Sequence, residues 1–399
     1  MRVYFLTHRL PYAPNRGDRV RSFHIVRSLV RQVELTVVSL TGDRQESSHA
    51  DQLRKLGVEV LTFEVPRWMN RMKATTQLTT ARPLTHLLLD APGIGPALHS
   101  LIATRPPDVV LAYCSGMARF AMESPLDRFP FVVDLVDVDS AKWAALAEIA
   151  EWPRRWLYRR EARLLSHFER ETAMRASCTM VVNDREAQLL KEIAPNAVIR
   201  VLPVGVDLTA LAPPSPPTAD ATVVFCGVMN YPPNIHAVVW FTEHVWPRIR
   251  LRRPAARFAI VGSDPALEIR RLADANAGVV VTGSVPDVRH YLWNAAVSIA
   301  PLKIARGVQT KVLEAVAAGL PAVVTSPVRD GLPAEIRPAC RVADSAEDFA
   351  SEILSLLELT GDERRALARQ ADLEPLSWET RLGPLAGILT RAAQRRVTP

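Results

Sequence analysis

The stretch from 297 to 326, VSIAPLKIARGVQTKVLEAVAAGLPAVVTS, restricts the fold more than any other part of the chain. Its two ends, 297–302 and 322–325, are short apolar runs of the kind found in strands covered on both faces of a parallel sheet. Between them Val312, Leu313, Val316 and Ala317 recur at i, i+1, i+4 and i+5, which makes a helix with one apolar side. Gly319 suits a left-handed C-terminal cap, and Pro321 stops the helix just after it. Polar residues gather before and on the first helical turns: Lys303, Arg306, Gly307, Gln309, Thr310, Lys311 and Glu314. Lys311 and Glu314 stand three apart and so share a helix face. A βα loop with glycine, cations and free helix N–H groups is a candidate anion site.

The same alternation fills the rest of the chain. Residues 3–6, 35–40, 58–63, 109–112, 130–136, 178–182 and 198–202 read as strands of a first half, with helical segments between them. Residues 222–226, 257–261, 279–282, 297–302 and 322–325 restart the pattern in a second half. At 399 residues the chain exceeds one ordinary core, and the APPSPP segment within 212–219 reads as a stiff exposed connection. The boundaries drawn are 1–203 for a first domain, 204–375 for a second, and 376–399 for a C-terminal helix that returns to the first. The expected architecture is α/β: two doubly wound Rossmann-like domains facing across a cleft.

Composition narrows the function classes. Hydrophobic residues at 48% and charged residues at 23% are ordinary for a globular protein. The four cysteines (Cys114, Cys178, Cys226, Cys340) are scattered without metal spacing, which predicts reduced thiols and a cytoplasmic protein. No stretch has the length of an uncharged membrane span. The net charge of +7 is carried almost wholly by arginine, which suits an anionic lipid or phosphate partner. No compact nucleic-acid motif accompanies it, so nucleic acid is not expected. Neither G-x-G-x-x-G nor G-x-x-x-x-G-K-[ST] occurs, which argues against a standard dinucleotide site or a P-loop. G-x-S-x-G is absent as well, and His8, His24, His236 and His244 lack zincin spacing.

Three further groups of residues carry chemistry. After the first strand comes a loop rich in charge and proline, His8 to Arg19, in which Arg16, Gly17 and Asp18 are candidates for phosphate or acceptor contact. The strand FVVDLV delivers Asp134, Asp137, Asp139 and Ser140 near its carboxyl end. Asp137 or Asp139 is a candidate base, the pair also mimics a D-x-D metal motif, and Ser140 is a candidate cap for the next helix. Residues 66–83 and 152–171 are basic and patchily apolar; the second reads either as a packed helix or as the surface of an anionic membrane.

The whole chain resembles the retaining glycosyltransferases of the family 4 type, with the two-Rossmann-domain B-type (GT-B) architecture. Within them it is most similar to the group linked to exosortase (PEP-CTERM) exopolysaccharide loci. The resemblance rests on HRLPYAPNRGDRVRSFHI, VVDLVDVDSAKW and above all PLKIARGVQTKVLEAVAAGLPAVVT. It implies transfer of a sugar, with retention and without metal or other cofactor, from a nucleotide-diphosphate sugar to a saccharide acceptor, lipid-linked and presented at the membrane. It implies that Glu314 binds the donor ribose, and that Gly227, Asn230, Gly283, Val285 and the stretch Arg306, Gly307, Val308, Gln309, Thr310, Lys311 make up the donor site.

The sequence departs from the family pattern at three places. Arg306 stands where a first glutamate is usual, no cation pair follows strand 222–226, and Val136 precedes Asp137 where a histidine is usual. Arg306 and Lys311 then become the candidates for stabilising the leaving diphosphate. A nucleotide-sugar epimerase, or an inactive sugar-nucleotide-binding protein, fits the same architecture.

Overall fold

The structure is a computed structural model that describes residues 1–13, 17–42, 44–78, 80–214, 221–303, 305 and 308–395. It divides into two compact units, one of Met1–Val204 with Arg381–Pro399 and one of Gly205–Thr380.

The first unit is built on a seven-stranded sheet: β1 (Arg2–Thr7), β2 (Glu34–Thr41), β3 (Glu59–Glu64), β4 (Val109–Tyr113), β5 (Phe131–Val136), β6 (Cys178–Val181) and β7 (Ile199–Val201). All its pairings are parallel, in the order β3-β2-β1-β4-β5-β6-β7. Strand β4 is buried at every position, and β1 at all but its first, with Thr7 its one buried polar end, as a sheet with both faces covered requires. The chain winds outward from β1 to β3, then returns to pair β4 against the other edge of β1. The order therefore reverses between β1 and β4, and a crevice for ligands opens at their carboxyl ends.

The second unit repeats the plan with six parallel strands: β8 (Thr222–Cys226), β9 (Arg257–Val261), β10 (Val279–Gly283), β11 (Val297–Ala300), β12 (Ala322–Val324) and β13 (Cys340–Val342). Their order is β10-β9-β8-β11-β12-β13, with the reversal between β8 and β11. Beyond that reversal the helix Thr310–Ala317 follows β11, and Gly319 takes φ +85 just past its end, the left-handed turn that glycine accepts.

Local chemistry corrects several expectations. The helix after β1 begins at Gly17, so Asp18 and Arg19 are helical and the loop is shorter than the sequence suggests. Residues 67–76, within the ambiguous basic stretch, form a helix, Arg67–Thr76. The long C-terminal helix is two, Trp378–Leu382 and Leu385–Gln394, parted at Gly383-Pro384 because proline cannot continue the hydrogen-bond ladder. The second of these packs on β4 and β5 of the first unit.

Candidate functional site

In the second unit the switch point lies between Gly227, just past β8, and the loop that follows β11. Lys311, on the first turn of the helix Thr310–Ala317, donates from Nζ to Asn234 Oδ1 at 2.7 Å and lies 4.3 Å above the Phe225 ring. Asn234 is buried, and its Nδ2 donates to the Val228 carbonyl at 2.9 Å. The amide thus ties lysine to loop, one end accepting and the other donating.

Gly227 leaves the room for this. A Cβ there would stand 2.8 Å from Asn234 Nδ2 and 3.3 Å from Lys311 Nζ. Gly262, at φ +154, packs still closer, since its Cβ would fall 1.6 Å from the Gly227 carbonyl oxygen. The 227–229 loop is pinned across that contact by Gly227 N donating to Val261 O at 3.0 Å and Met229 N to Ser263 O at 2.8 Å.

The charges of this corner are poised. Burial pushes the Lys311 ammonium down to about 8, against the pull of Cys226 and Glu314. Burial also pushes the Glu314 carboxyl up to about 7, opposed by Lys311. Gln309 and Val308 lead into the helix half-buried and Thr310 is exposed at its start. Arg306 and Gly307 lie outside the described residues.

Three other expected donor residues lie on the loop after β8 and at the end of β10 or just past it. Asn230 is exposed on the loop after β8. Gly283 ends β10, two strands away from β8, at φ +68 and with open space where a Cβ would be; Val285 follows half-buried. Gly283 borders an open depression of about 450 Å³ with Asp264, Arg270, Thr282 and Ser284, which Lys311 and Glu314 do not line.

In the first unit the switch point falls between His8, after β1, and Cys114, after β4. His8 stacks on Tyr113 with ring centres 5.7 Å apart, and its Nδ1 lies 3.4 Å from Cys114 Sγ. Cys114 takes φ 69, turning the chain from β4 into the helix Ser115–Met122. Ser115 Oγ then donates to Asp139 Oδ2 at 3.0 Å. Of the first-loop candidates, Gly17 and Asp18 open the helix Gly17–Leu29, and Arg16 lies outside the described residues.

The turn that carries Asp137 and Asp139 is gripped by three carboxylates. Asp134 Oδ1 accepts from Val136 N at 3.2 Å, Glu186 Oε2 from Val138 N at 2.8 Å, and Glu169 Oε1 from Ser140 N at 3.2 Å. Asp134 itself is fully buried and paired with Arg21 at 2.8 Å, so it is a structural anchor. Ser140 does not cap the helix Asp139–Ile149; its hydroxyl donates to Glu169 Oε2 instead. Protein carboxylates thus hold the Val138 and Ser140 N–H groups at this helix start.

The cage perturbs what it holds. Although Asp137 is exposed, the protein around it and the like charges of Glu186 and Asp139 hold its carboxyl above the usual range, while Lys142 and Arg21 pull the other way. Val136, at φ 67, turns Asp137 out of the strand where the register against β6 shifts. Among the described residues no group of three or more His, Cys, Asp or Glu side chains is placed to hold a metal ion.

Sequence reasoning missed Asn234, Glu169, Glu186 and the His8–Cys114 pair. Their partners lie 29 to 106 residues away in the chain, and no local pattern marks such pairings.

Two doubly wound parallel-sheet units are the architecture of the GT-B class, and the activity class comes from the family matches. Residues 16–205 match the family model of the glycosyl transferase 4-like domain, and residues 220–359 match that of the glycosyl transferases group 1. Together the two models span most of the chain, and the chain belongs to the glycosyltransferases of GT-B type.

Solved structures agree on the fold. A sucrose-phosphate synthase from Thermosynechococcus elongatus superimposes with a TM-score of 0.62 at 14% identity, covering 98% of this chain and 99% of that one. Anabaena HepE, in complex with UDP and glucose, gives 0.64 at 14%, covering 98% and 100%. A UDP-forming α,α-trehalose-phosphate synthase from Burkholderia vietnamiensis gives 0.64 at 13%, covering 98% and 100%. No curated protein matches the chain in sequence.

Proposed function

We propose that the protein transfers a sugar from a nucleotide-diphosphate sugar to a lipid-linked saccharide in exopolysaccharide synthesis, with retention and without a metal. The observation that carries the donor half is Lys311, held by Asn234 beside Gly227 at the switch point of the second unit. Crystals of Anabaena HepE, which has the same fold, hold UDP-glucose.

In the reaction the bond from the sugar C1 to the diphosphate oxygen breaks and a bond from C1 to an acceptor hydroxyl oxygen forms. Charge grows on the departing diphosphate, and a cation with helix N–H groups beside it stabilises that charge. Lys311 on the first turn of Thr310–Ala317 supplies both, and Arg306 and Gly307 join it by sequence position. Glu314, one turn further along the same helix, binds the ribose hydroxyls as an acceptor of hydrogen bonds. Gly227, Asn230, Gly283 and Val285 shape the pocket for the nucleotide.

The first unit takes the acceptor. Asp137 or Asp139 positions the attacking hydroxyl and accepts its proton, and a carboxyl held above the ordinary range is a better base for that step. Arg16, Gly17 and Asp18 contribute the phosphate side of the acceptor. The protein works in the cytoplasm, peripheral to the membrane that holds its acceptor.

The test is calorimetric binding of UDP, GDP and ADP sugars to the wild type and to Lys311→Ala and Glu314→Ala. Loss of at least tenfold in affinity for one donor in both variants is expected. Unchanged affinity in both removes the donor-site assignment. Conversion of the sugar nucleotide with no acceptor present identifies an epimerase instead, and tight binding without turnover identifies an inactive binding protein.

A further inference from the structure

We infer that the first unit docks on the surface of an anionic lipid bilayer through one face, formed by the helix Arg67–Thr76 and the start of the helix Arg154–Arg175. The inference rests on the lipid-linked acceptor proposed above and names the surface that would meet it.

The helix Arg67–Thr76 has a clear inside. Asn70 and Ala74, four apart, are buried, and Asn70 Nδ2 donates to the carbonyls of Leu88 at 3.3 Å and Asp90 at 2.8 Å. That anchoring leaves the other side in solvent, where Trp68 is 67% and Met72 58% exposed, again four apart and so stacked on one face. Arg71 and Lys73 are exposed beside them. No aspartate or glutamate occurs anywhere from Val65 to Leu89.

The second element shows the same chemistry. Trp152 is 84% and Trp156 54% exposed, with Arg154, Arg155 and Arg159 exposed around them and no acid between 152 and 160. Between these exposed residues Leu157 and Tyr158 are half-buried, Tyr158 against Trp143, and from Arg160 onward the helix turns fully buried side chains inward.

Those side chains join the two elements. Buried Arg160 donates from Nη2 to the carbonyls of Thr80 at 2.6 Å and Arg82 at 3.1 Å. Its neighbour Glu161 accepts from Leu84 N at 2.9 Å and Thr85 N at 2.7 Å. The segment leaving Arg67–Thr76 is thereby clamped to the helix one turn beyond Trp156, so Trp68 and the pair Trp152 and Trp156 belong to one unit.

Three exposed indoles, exposed methionines and unpaired-sign positive charge favour one partner. An indole is apolar with one polar N–H and settles at the headgroup level of a bilayer, while arginine and lysine meet anionic headgroups. A folded acidic protein would satisfy the cations and leave the indoles in need of matching pockets. Among the described residues no helix is long and apolar enough to cross a membrane, so contact at the surface is the mode this chemistry supports.

The experiment is co-sedimentation of the full chain with phosphatidylcholine vesicles containing or lacking phosphatidylglycerol, with UDP-sugar binding measured on the same preparations. Binding is expected only to the anionic vesicles, with a blue shift in tryptophan emission and release as salt screens the charges. Each exposed cation changed to glutamine, beginning with Arg71→Gln and Arg154→Gln, should lower the partition coefficient roughly fivefold. The triple change Trp68→Ser, Trp152→Ser, Trp156→Ser should lower it at least tenfold and leave UDP-sugar affinity as it was. Failure of the wild type to bind anionic vesicles, or equal binding by the triple variant, overturns the inference. A self-associated wild type that the triple variant renders monomeric also overturns it, in favour of a second copy of the chain. Vesicle binding without any nucleotide-sugar binding would leave the docking surface standing and sink the transferase reading alone.

Discussion

Replacing Glu169 by glutamine should make the first unit more stable at neutral pH while keeping both hydrogen bonds to Ser140. Glu169 is fully buried, and its carboxyl accepts from Ser140 N and from the Ser140 hydroxyl. Burial pushes it up to about 7, with the Asp139 charge adding and the bonds from Ser140 and Asp139 opposing. In the unfolded chain the same group titrates near 4.5. Below that pH both states hold the proton and the group has no effect on stability. Between 4.5 and about 7 the unfolded chain releases the proton while the folded one keeps it, so stability falls as pH rises. Above about 7 the fall is complete and amounts to about 3 kcal/mol, at 1.36 kcal/mol for each step of pKa.

Glutamine carries no proton to lose. Its Oε1 keeps the bond from Ser140 N, and the Ser140 hydroxyl can turn from donor to acceptor for Nε2. The expected outcome is a variant whose stability, relative to wild type, rises by about 3 kcal/mol between pH 4 and pH 8. Urea equilibration followed by a brief protease pulse, with fragments of the two units separated by mass, reads the first unit alone. The difference between variant and wild type isolates Glu169 from the other carboxylates. Parallel pH profiles for the two proteins would refute the reasoning, because they would mean Glu169 is ionised at neutral pH without cost.

Lys311 predicts a pH effect on ligand binding. Its pKa of about 8 in the free protein means that affinity for a nucleotide diphosphate holds below pH 8 and falls above it, toward tenfold per pH unit; a flat calorimetric profile from 7 to 9.5 would count against Lys311 as the diphosphate cation. Gly262→Ala should destabilise the second unit by about 3 kcal/mol or more, since its Cβ meets backbone, not a flexible side chain. Gly57→Ala, at φ +87 with open space around it, should cost only about 1–2 kcal/mol, as urea midpoints will show. Arg21→Met should cost about 3–5 kcal/mol by stranding the Asp134 charge, and adding Asp134→Leu should recover much of that in a double-mutant cycle.

Much of the architecture was legible in the sequence because burial on both faces writes itself locally. A strand inside a parallel sheet is mostly apolar, so β4, β5, β8 and β9 announce themselves in short runs interrupted only by Asp134 in β5 and by Thr222 and Arg257 at the starts of β8 and β9. Gly319 and Lys311 were readable for the same reason, since cap geometry and helix face depend on neighbours three or four residues away. The short β13 and the break at Gly383-Pro384 were less visible, the first because three residues carry little periodicity, the second because an apolar stripe continues across it.

Which strands sit side by side is a different matter. Periodicity says that β1, β4, β8 and β11 are strands; only the folded sheets make β1 the neighbour of β4 and β8 the neighbour of β11, and so create the two switch points. The pairs that matter there, His8 with Cys114, Asn234 with Lys311 and Ser140 with Glu169, are long-range contacts with no local signature. Their electrostatics are likewise tertiary, because a carboxyl or an ammonium shifts its pKa through the water that the whole fold removes from it. The sequence by itself determined the repeated βα alternation and the residue types available at the strand ends. The tertiary structure decided which of those residues meet, since that depends on how the full set of apolar runs is buried together.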